Sequence, residues 1–410
     1  MTLAIDFGTS NTAVAILDRG TVRRLPVETG SDTLPTAVFF PAGGGAMRIG
    51  DAAAEALIAG DEGRYMRALK SVLGTPLLHE LRLIGGERRT VAGIIADFLT
   101  VLKARAEAAT GRRFTRALSG RPVHFHSNDP ARDAQAQADL RACYLAAGFA
   151  EVDFLPEPEA AALAAHGLGL AGAPGLIVDI GGGTSDFLVY RTEGGGVRIL
   201  GSHGIRLGGT DFDEAVSLSH AMPLLGHGTQ LRREMGPGLL PVPNAIYADL
   251  AAWAHIPFVY TPENRRLAVQ MARLAVEPER LERLVTVLTD ELGHDLAFAV
   301  ERGKIAANRG EDTRIGMGFV QPRLAAPISR ASLDRALQDH GADLEQAVTE
   351  TLARAGVAAG DIGDIVLVGG SSLMNLVTNL AARMMPGACL HRSEAFTAVV
   401  DGLALATGAE

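Results

Sequence analysis

The element Asp6-Phe7-Gly8-Thr9-Ser10 recurs 173 residues later as Asp179-Ile180-Gly181-Gly182-Gly183-Thr184-Ser185-Asp186. Each copy joins a carboxylate, a glycine turn and a hydroxyl. Carboxylate oxygens suit a hard cation that keeps part of its water shell. Successive backbone N–H groups at glycine turns make anion-binding concavities. One copy alone is a weak signal. Two copies on facing lobes could hold a single metal-bound polyphosphate.

The surrounding pattern says what must position these groups. Each copy lies between two apolar runs, so the glycine motifs fall in strand-to-strand turns. The predicted strands are Leu3–Phe7, Thr12–Leu17 and Thr21–Val27 in the first copy, with a hairpin turn at Asp18-Arg19-Gly20. In the second copy they are Leu176–Ile180, Ser185–Arg191 and Val197–Gly201, with a turn at residues 193–196. A Walker loop or a dinucleotide fingerprint would lead into a helix instead, which excludes the commonest nucleotide folds. Between the copies the periodicity predicts helices over Val91–Ala109, Ala131–Ala147 and Glu157–His166, and a strand over Arg116–Val123. Residues 171–175 read as a boundary. Residues 216–250 are rich in glycine and proline. Residues 264–308 read as one long helical region and Ser332–Ala355 as another helix. Asp364–Val368 reads as a buried strand ending in Gly369-Gly370, followed by a helix from about Ser371. A helix over Ser393–Thr407 closes the chain.

The 410 residues are enough for large cores and two domains. Hydrophobic residues at 47% and charged residues at 21% describe a globular chain, and a net charge of -9 argues against nucleic-acid or anionic-membrane surfaces. Cys143 and Cys389 have no metal-ligand spacing and read as buried thiols in a reducing compartment. No run approaches the roughly 18 apolar residues of a membrane helix, and the N-terminus lacks the pattern of a signal peptide. The expected location is cytoplasmic. Of 38 basic residues only Lys70, Lys103 and Lys304 are lysines. Arginine fills nearly every position that needs only positive charge, so a lysine that persists marks either a place where a compact ammonium is wanted or, more simply for any single one, chance survival.

Seven segments in order resemble the ATPase domain of the DnaK-type heat-shock chaperones (Hsp70), within the actin and sugar-kinase superfamily. They are Ile5–Thr12, Ala68–Gly74, Glu157–Leu163, Val178–Asp186, Leu207–Asp213, Glu301–Ala306 and Val366–Ser372. Residues 120–125, 221–226 and 240–245 are similar to the YegD-like group of that family. The resemblance implies an α/β actin-like ATPase fold: two lobes, each with a duplicated ribonuclease-H-like core, plus smaller subdomains. Lobe I would span residues 1–172 with a small insert at 36–89. Lobe II would span 173–386 with a helical insert at 216–314, and residues 387–410 would return to lobe I.

The resemblance implies a site for ATP or ADP with Mg²⁺. Gly8, Thr9, Ser10, Gly181, Gly182 and Gly183 would cradle phosphate, Asn11 would brace the first loop, and Asp6 and Asp179 would hold the ion. Lys70 and Thr184 would touch the γ-phosphate and the attacking water, with Glu157 and Asp186 orienting that water. Gly209, Glu301, Lys304, Asn308, Gly369, Gly370 and Leu373 would line the nucleotide, Leu373 standing where the family stacks an arginine on adenine and Asn308 where it has a serine. Two of the three lysines thus fall on family ATP-site positions. Family members continue into an acidic-leucine linker and a peptide-binding domain. This chain stops at Glu410, so the expectation is a slow ATPase with nucleotide-driven lobe closure, an unknown protein partner or client and no built-in peptide grip. The competing readings are a small-molecule, sugar-type kinase of the same superfamily and a nucleotide-gated scaffold or filament former.

Overall fold

A computed structural model describes residues 1–28, 30–165, 173–193, 196–392 and 397–408. The chain divides into two compact units. One comprises Met1–Gly209 with Ala342–Glu410, the other Thr210–Gly341.

The first unit contains one structural plan twice. In the first copy β1 (Thr2–Phe7), β2 (Asn11–Asp18) and β3 (Thr21–Arg24) form an antiparallel meander. After α1 (Val91–Thr110), β4 (Arg116–Arg121) adds parallel to β1. After α2 (Pro130–Ala146), β5 (Glu151–Pro156) adds parallel to β4, and α3 (Glu157–Ala165) follows. The sheet order is β5-β4-β1-β2-β3, with Leu34–Pro35 bridged to β2. In the second copy β6 (Gly175–Ile180), β7 (Ser185–Glu193) and β8 (Gly196–Ile205) form the meander. Then α4 (Gln338–Ala355), β9 (Asp364–Val368), α5 (Asn375–Met384), β10 (Cys389–Arg392) and α6 (Ala398–Ala406) follow, with order β8-β7-β6-β9-β10. The two orders and their parallel and antiparallel pairings are the same.

Sequence chemistry explains these elements. Every residue of β6 and β9 is buried, as central strands covered on both faces should be, and both are apolar runs but for Asp179 and Asp364. The β2–β3 turn places Arg19 at φ 52° and Gly20 at φ 80°, the left-handed pair of a type I′ hairpin. Thr90 and Asp129 cap α1 and α2, each accepting a backbone N–H three residues on. The core between the sheets is built of small side chains on α3 and α6. A Cβ added at Gly402 of α6 would lie 1.7 Å from the carbonyl oxygen of Ala160 of α3, so the two backbones cross in direct contact. Ala160, Ala161, Ala162, Ala398 and Ala404 pack around that crossing. Residues 37–89 add a three-stranded sheet (Ala37–Pro41, Arg48–Ile49, Gly63–Arg67) and the hairpin Arg82–Ile84/Glu87–Arg89.

The second unit is mainly helical. The helical region expected over 264–308 consists of three helices: Pro262–Leu274, Pro278–Thr289 and Gly293–Asn308. Pro262 and Pro278 open the first two at the one position where a missing N–H costs nothing. The unit also holds two hairpins, Gln230–Arg232/Leu239–Pro241 and Thr313–Gly316/Ala325–Ile328.

Some expectations need correction. Ser332–Ala355 is split into Arg330–Ala336 and Gln338–Ala355. The helix expected from Ser371 is a short 3₁₀ turn over Gly370–Leu373, and α5 begins at Asn375. Cys143 is buried, as read from the sequence, but Cys389 is exposed, because β10 is an edge strand with three of its four residues exposed. His166, the turn residues Gly194 and Gly195, the boundary residues Ala171 and Gly172, and the start of the last helix at residues 393–396 lie outside the described residues. Among the described residues no helix is long and apolar enough to cross a membrane.

Candidate active site

Both glycine motifs form the same braced turn. Gly8 N–H donates to the carbonyl of Asn11 at 3.0 Å, and Gly181 N–H donates to that of Thr184 at 3.0 Å. The register around them also coincides. Asp6 pairs with Ala13 and Phe7 with Thr12 on β1–β2. Asp179 pairs with Asp186 and Ile180 with Ser185 on β6–β7. Asp186 therefore occupies in the second copy the place Ala13 holds in the first.

The first loop is held from outside by Thr36, whose N–H donates to Ser10 O at 2.9 Å and whose hydroxyl lies 2.8 Å from that of Thr12. The second loop is held by residues 207–209. Ser185 Oγ donates to Leu207 O at 2.6 Å and Gly209 N–H to Gly181 O at 3.0 Å. Gly208 must be glycine, since a Cβ there would sit 2.5 Å from the backbone nitrogen of Gly183. The two motifs face each other closely. A Cβ at Gly182 would meet Ser10 Oγ at 2.4 Å, and one at Gly183 would meet Thr9 Oγ1 at 3.1 Å.

Lys70 sits on a 3₁₀ turn, Leu69–Val72, entered through Ala68 at φ 59°. A buried alanine in the left-handed region stores backbone strain of a kind that persists where surrounding structure imposes it. The Lys70 ammonium donates to Glu157 Oε1 at 2.7 Å, both side chains being nearly enclosed. Glu157 opens α3, directly before Pro158, where a carboxylate complements the helix N-terminus.

Around this ion pair gather Asp6, Asp179 and Asp186. Burial, then the Glu157 charge, raise Asp6 to about 7, with Lys70 opposing. Burial and Glu157 likewise raise Asp186 to about 8, against the stabilising N–H of Val123 at 2.7 Å and the Thr184 hydroxyl. Asp179 is raised well above the usual range by burial and by Glu157, Asp186 and Asp6. Four carboxyls share one ammonium, so the cluster offers oxygen donors, and a cation there would take the place of the protons that the raised carboxyls hold. That fits Mg²⁺. Among the described residues no three acidic, histidine or cysteine side chains converge closely enough to hold an ion directly, so contact through the ion's own waters suits the donor set.

Gly369 stands beside the second acid. Its φ is 77°, and a Cβ would meet Ile180 O at 2.3 Å and Asp179 Oδ1 at 2.9 Å. Ser372 Oγ donates to Gly369 O at 2.7 Å, Gly370 begins the 3₁₀ turn, and Leu373 is exposed. The structure thus brings together Asp6, Gly8–Asn11, Lys70, Glu157, Asp179, Gly181–Thr184, Asp186, Gly209 and Gly369. Glu301, Lys304 and Asn308 belong to the helix Gly293–Asn308 of the second unit. There Lys304 is buried and ion-paired with Asp213 at 2.7 Å, and Trp253 Nε1 donates to the other Asp213 oxygen at 3.0 Å.

Sequence reasoning missed the groups that hold the Lys70 turn. Arg206 Nη2 donates to Ser71 O at 2.9 Å, Arg132 Nε to Gly74 O at 3.1 Å, and Gly74 N–H to Asp139 Oδ2 at 3.0 Å. His126 Nε2 lies 2.8 Å from Leu73 O, which can only accept, so that nitrogen carries the proton. Each lies far from Lys70 in sequence, and a side chain bonded to main chain leaves no motif.

Residues 78–222 match the family described as Hsp70 protein. The chain is 29% identical over 407 residues to heat shock 70 kDa protein BIP3 of Oryza sativa subsp. japonica, covering 92% of this chain and 52% of that protein. It is 34% identical over 239 residues to a chaperone protein HscA homolog of Pseudomonas putida, covering 53% of this chain and 37% of that one. It is 28% identical over 404 residues to the HscA homolog of Pseudomonas fluorescens, covering 93% and 53%. The chain therefore spans about half the length, or less, of the curated relatives it matches. The duplicated α/β architecture is the actin-like ATPase fold, and over residues 78–222 the chain is similar to the Hsp70 family.

Proposed function

We propose that the chain binds Mg-ATP between its two glycine loops and hydrolyses it slowly, and that closure of the two lobes reports nucleotide state to a partner protein. The observation that carries this reading is the repeated braced turn, with Asp6, Asp179, Asp186 and the Lys70–Glu157 pair gathered beside it. The loop N–H groups would receive phosphate oxygens. Mg²⁺, held by Asp6 and Asp179 through water, would neutralise phosphate charge. Water would attack the γ-phosphorus as the bond to the bridging oxygen breaks and ADP leaves. Glu157 and Asp186 would orient that water, the Thr184 hydroxyl would touch the transferring group, and Lys70 would stabilise the charge that develops on it. Gly369, Gly370 and Leu373 are assigned to adenosine, Leu373 offering an apolar face to the base. Glu301, Lys304 and Asn308 are assigned nucleoside contacts as the resemblance implies. Within the family the likeness to the YegD-like group, and a cytoplasmic location, belong to the same proposal.

Calorimetry should show ATP binding that disappears when Mg²⁺ is chelated. Lys70→Ala should lower single-turnover hydrolysis by about 10²–10³-fold. Absence of binding refutes the nucleotide reading, and an unchanged rate in the variant removes Lys70 from the chemistry.

A further inference from the structure

The turn that carries Lys70 is held through its outward carbonyls. Those of Ser71, Leu73 and Gly74 accept from Arg206, His126 and Arg132. His126 and Arg132 lie between β4 and the middle of α2, in the same repeat as Lys70's neighbours on the first sheet. Arg206 does not. It follows the last residue of β8, in the second repeat, one residue before the Leu207–Gly209 stretch that braces the second glycine loop. Its own N–H donates to Ser127 Oγ at 3.4 Å, so it grips the first repeat with both main chain and side chain. Arg206 also lines a small cavity with Lys70, Thr9, Gly183, Thr184 and His126.

We propose that Arg206 is a positioning residue that ties the Lys70 turn to the second repeat. The Lys70 turn is strained at Ala68, so its geometry depends on what holds it. The restraints from His126, Arg132 and Asp139 stay fixed however the repeats move. The Arg206 bond forms only when β8 and the Lys70 turn are apposed. It therefore sets Lys70 in place when the second glycine loop is seated, and releases it when the repeats part. Hydrolysis would then be confined to the closed arrangement, while nucleotide could bind in either. The guanidinium suits this task because it stays charged and offers several donors in a fixed plane.

This inference rests on the nucleotide reading above, and one experiment separates the two. ADP affinity and single-turnover ATP hydrolysis are measured on the full chain for wild type, Arg206→Ala and Arg206→Lys. The expected result is ADP affinity within about twofold of wild type in both variants, with hydrolysis about 10- to 100-fold slower in Arg206→Ala, the loss typical of a misplaced catalytic group. Arg206→Lys, which keeps a donor for Ser71 O, should recover most of the rate. Equal hydrolysis in Arg206→Ala and wild type overturns the inference. So does a parallel loss of ADP affinity and rate, which would mark a merely structural role. Wild-type protein that binds no ADP with Mg²⁺ overturns the nucleotide reading beneath it.

Discussion

At the scale of residues, the site is governed by what is buried beside what. Lys70 is one ammonium among Glu157, Asp6, Asp179 and Asp186, which leaves the carboxyls short of positive charge. His126, which holds the Lys70 turn, shows the opposite bias. Burial lowers its pKa below the ordinary 6.5, helped by Arg206 and Arg132 and opposed by the bond to Leu73 O and by Asp133. The folded chain thus resists a proton that the unfolded chain takes up near 6.5. This contribution to stability is complete above that pH and is lost as pH falls from there through the lowered pKa of the folded chain. His126→Gln keeps a donor for Leu73 O and cannot titrate. Between pH 7.5 and pH 5 the wild type should lose more stability than the variant, read from unfolding curves at the two pH values. Parallel losses would show that His126 protonates equally well in both states.

At the scale of elements, the α3–α6 crossing permits no side chain at Gly402. A Cβ there would collide with the carbonyl oxygen of Ala160, which is helix backbone and cannot rotate aside. Gly402→Val should destabilise the protein by about 3 kcal/mol, seen as a lower urea midpoint with unchanged slope. A wild-type midpoint would mean that α6 shifts freely along α3. The elements legible in the sequence were those with uniform burial. β6 and β9 are buried throughout and apolar but for Asp179 and Asp364, and the predicted bounds of β9 are those observed. β10 was not legible because Cys389, Leu390 and Arg392 are exposed on an edge and show no alternation. The breaks inside 264–308 were marked by Pro278 and Gly293, but the apolar stripe continues on either side and hid them. The turn at Lys70 was illegible for another reason: its strain at Ala68 is imposed by tertiary bonds and not by local propensity.

At the scale of the whole molecule, the acid-glycine motifs were visible because a duplicated function leaves the same residues at the same spacing. The supporting groups Arg206, Arg132 and Asp139 were invisible because only folding brings them to the site. If the site binds Mg-ATP, ligation stabilises the folded chain by mass action. At a hundredfold excess over Kd this is worth about 2.7 kcal/mol. The unfolding temperature should rise with Mg-ATP and return to its starting value on adding a chelator; a temperature indifferent to both would contradict ligation. The two copies share sheet order, turn bonds and register, yet Asp186 in one stands where Ala13 stands in the other. A strictly twofold clamp could receive a chain of phosphates in either direction. Together with the Lys70–Glu157 pair, which has no counterpart in the second repeat, this difference gives the clamp a head and a tail. An unsymmetrical guest then has one orientation in which its terminal group meets the extra acid.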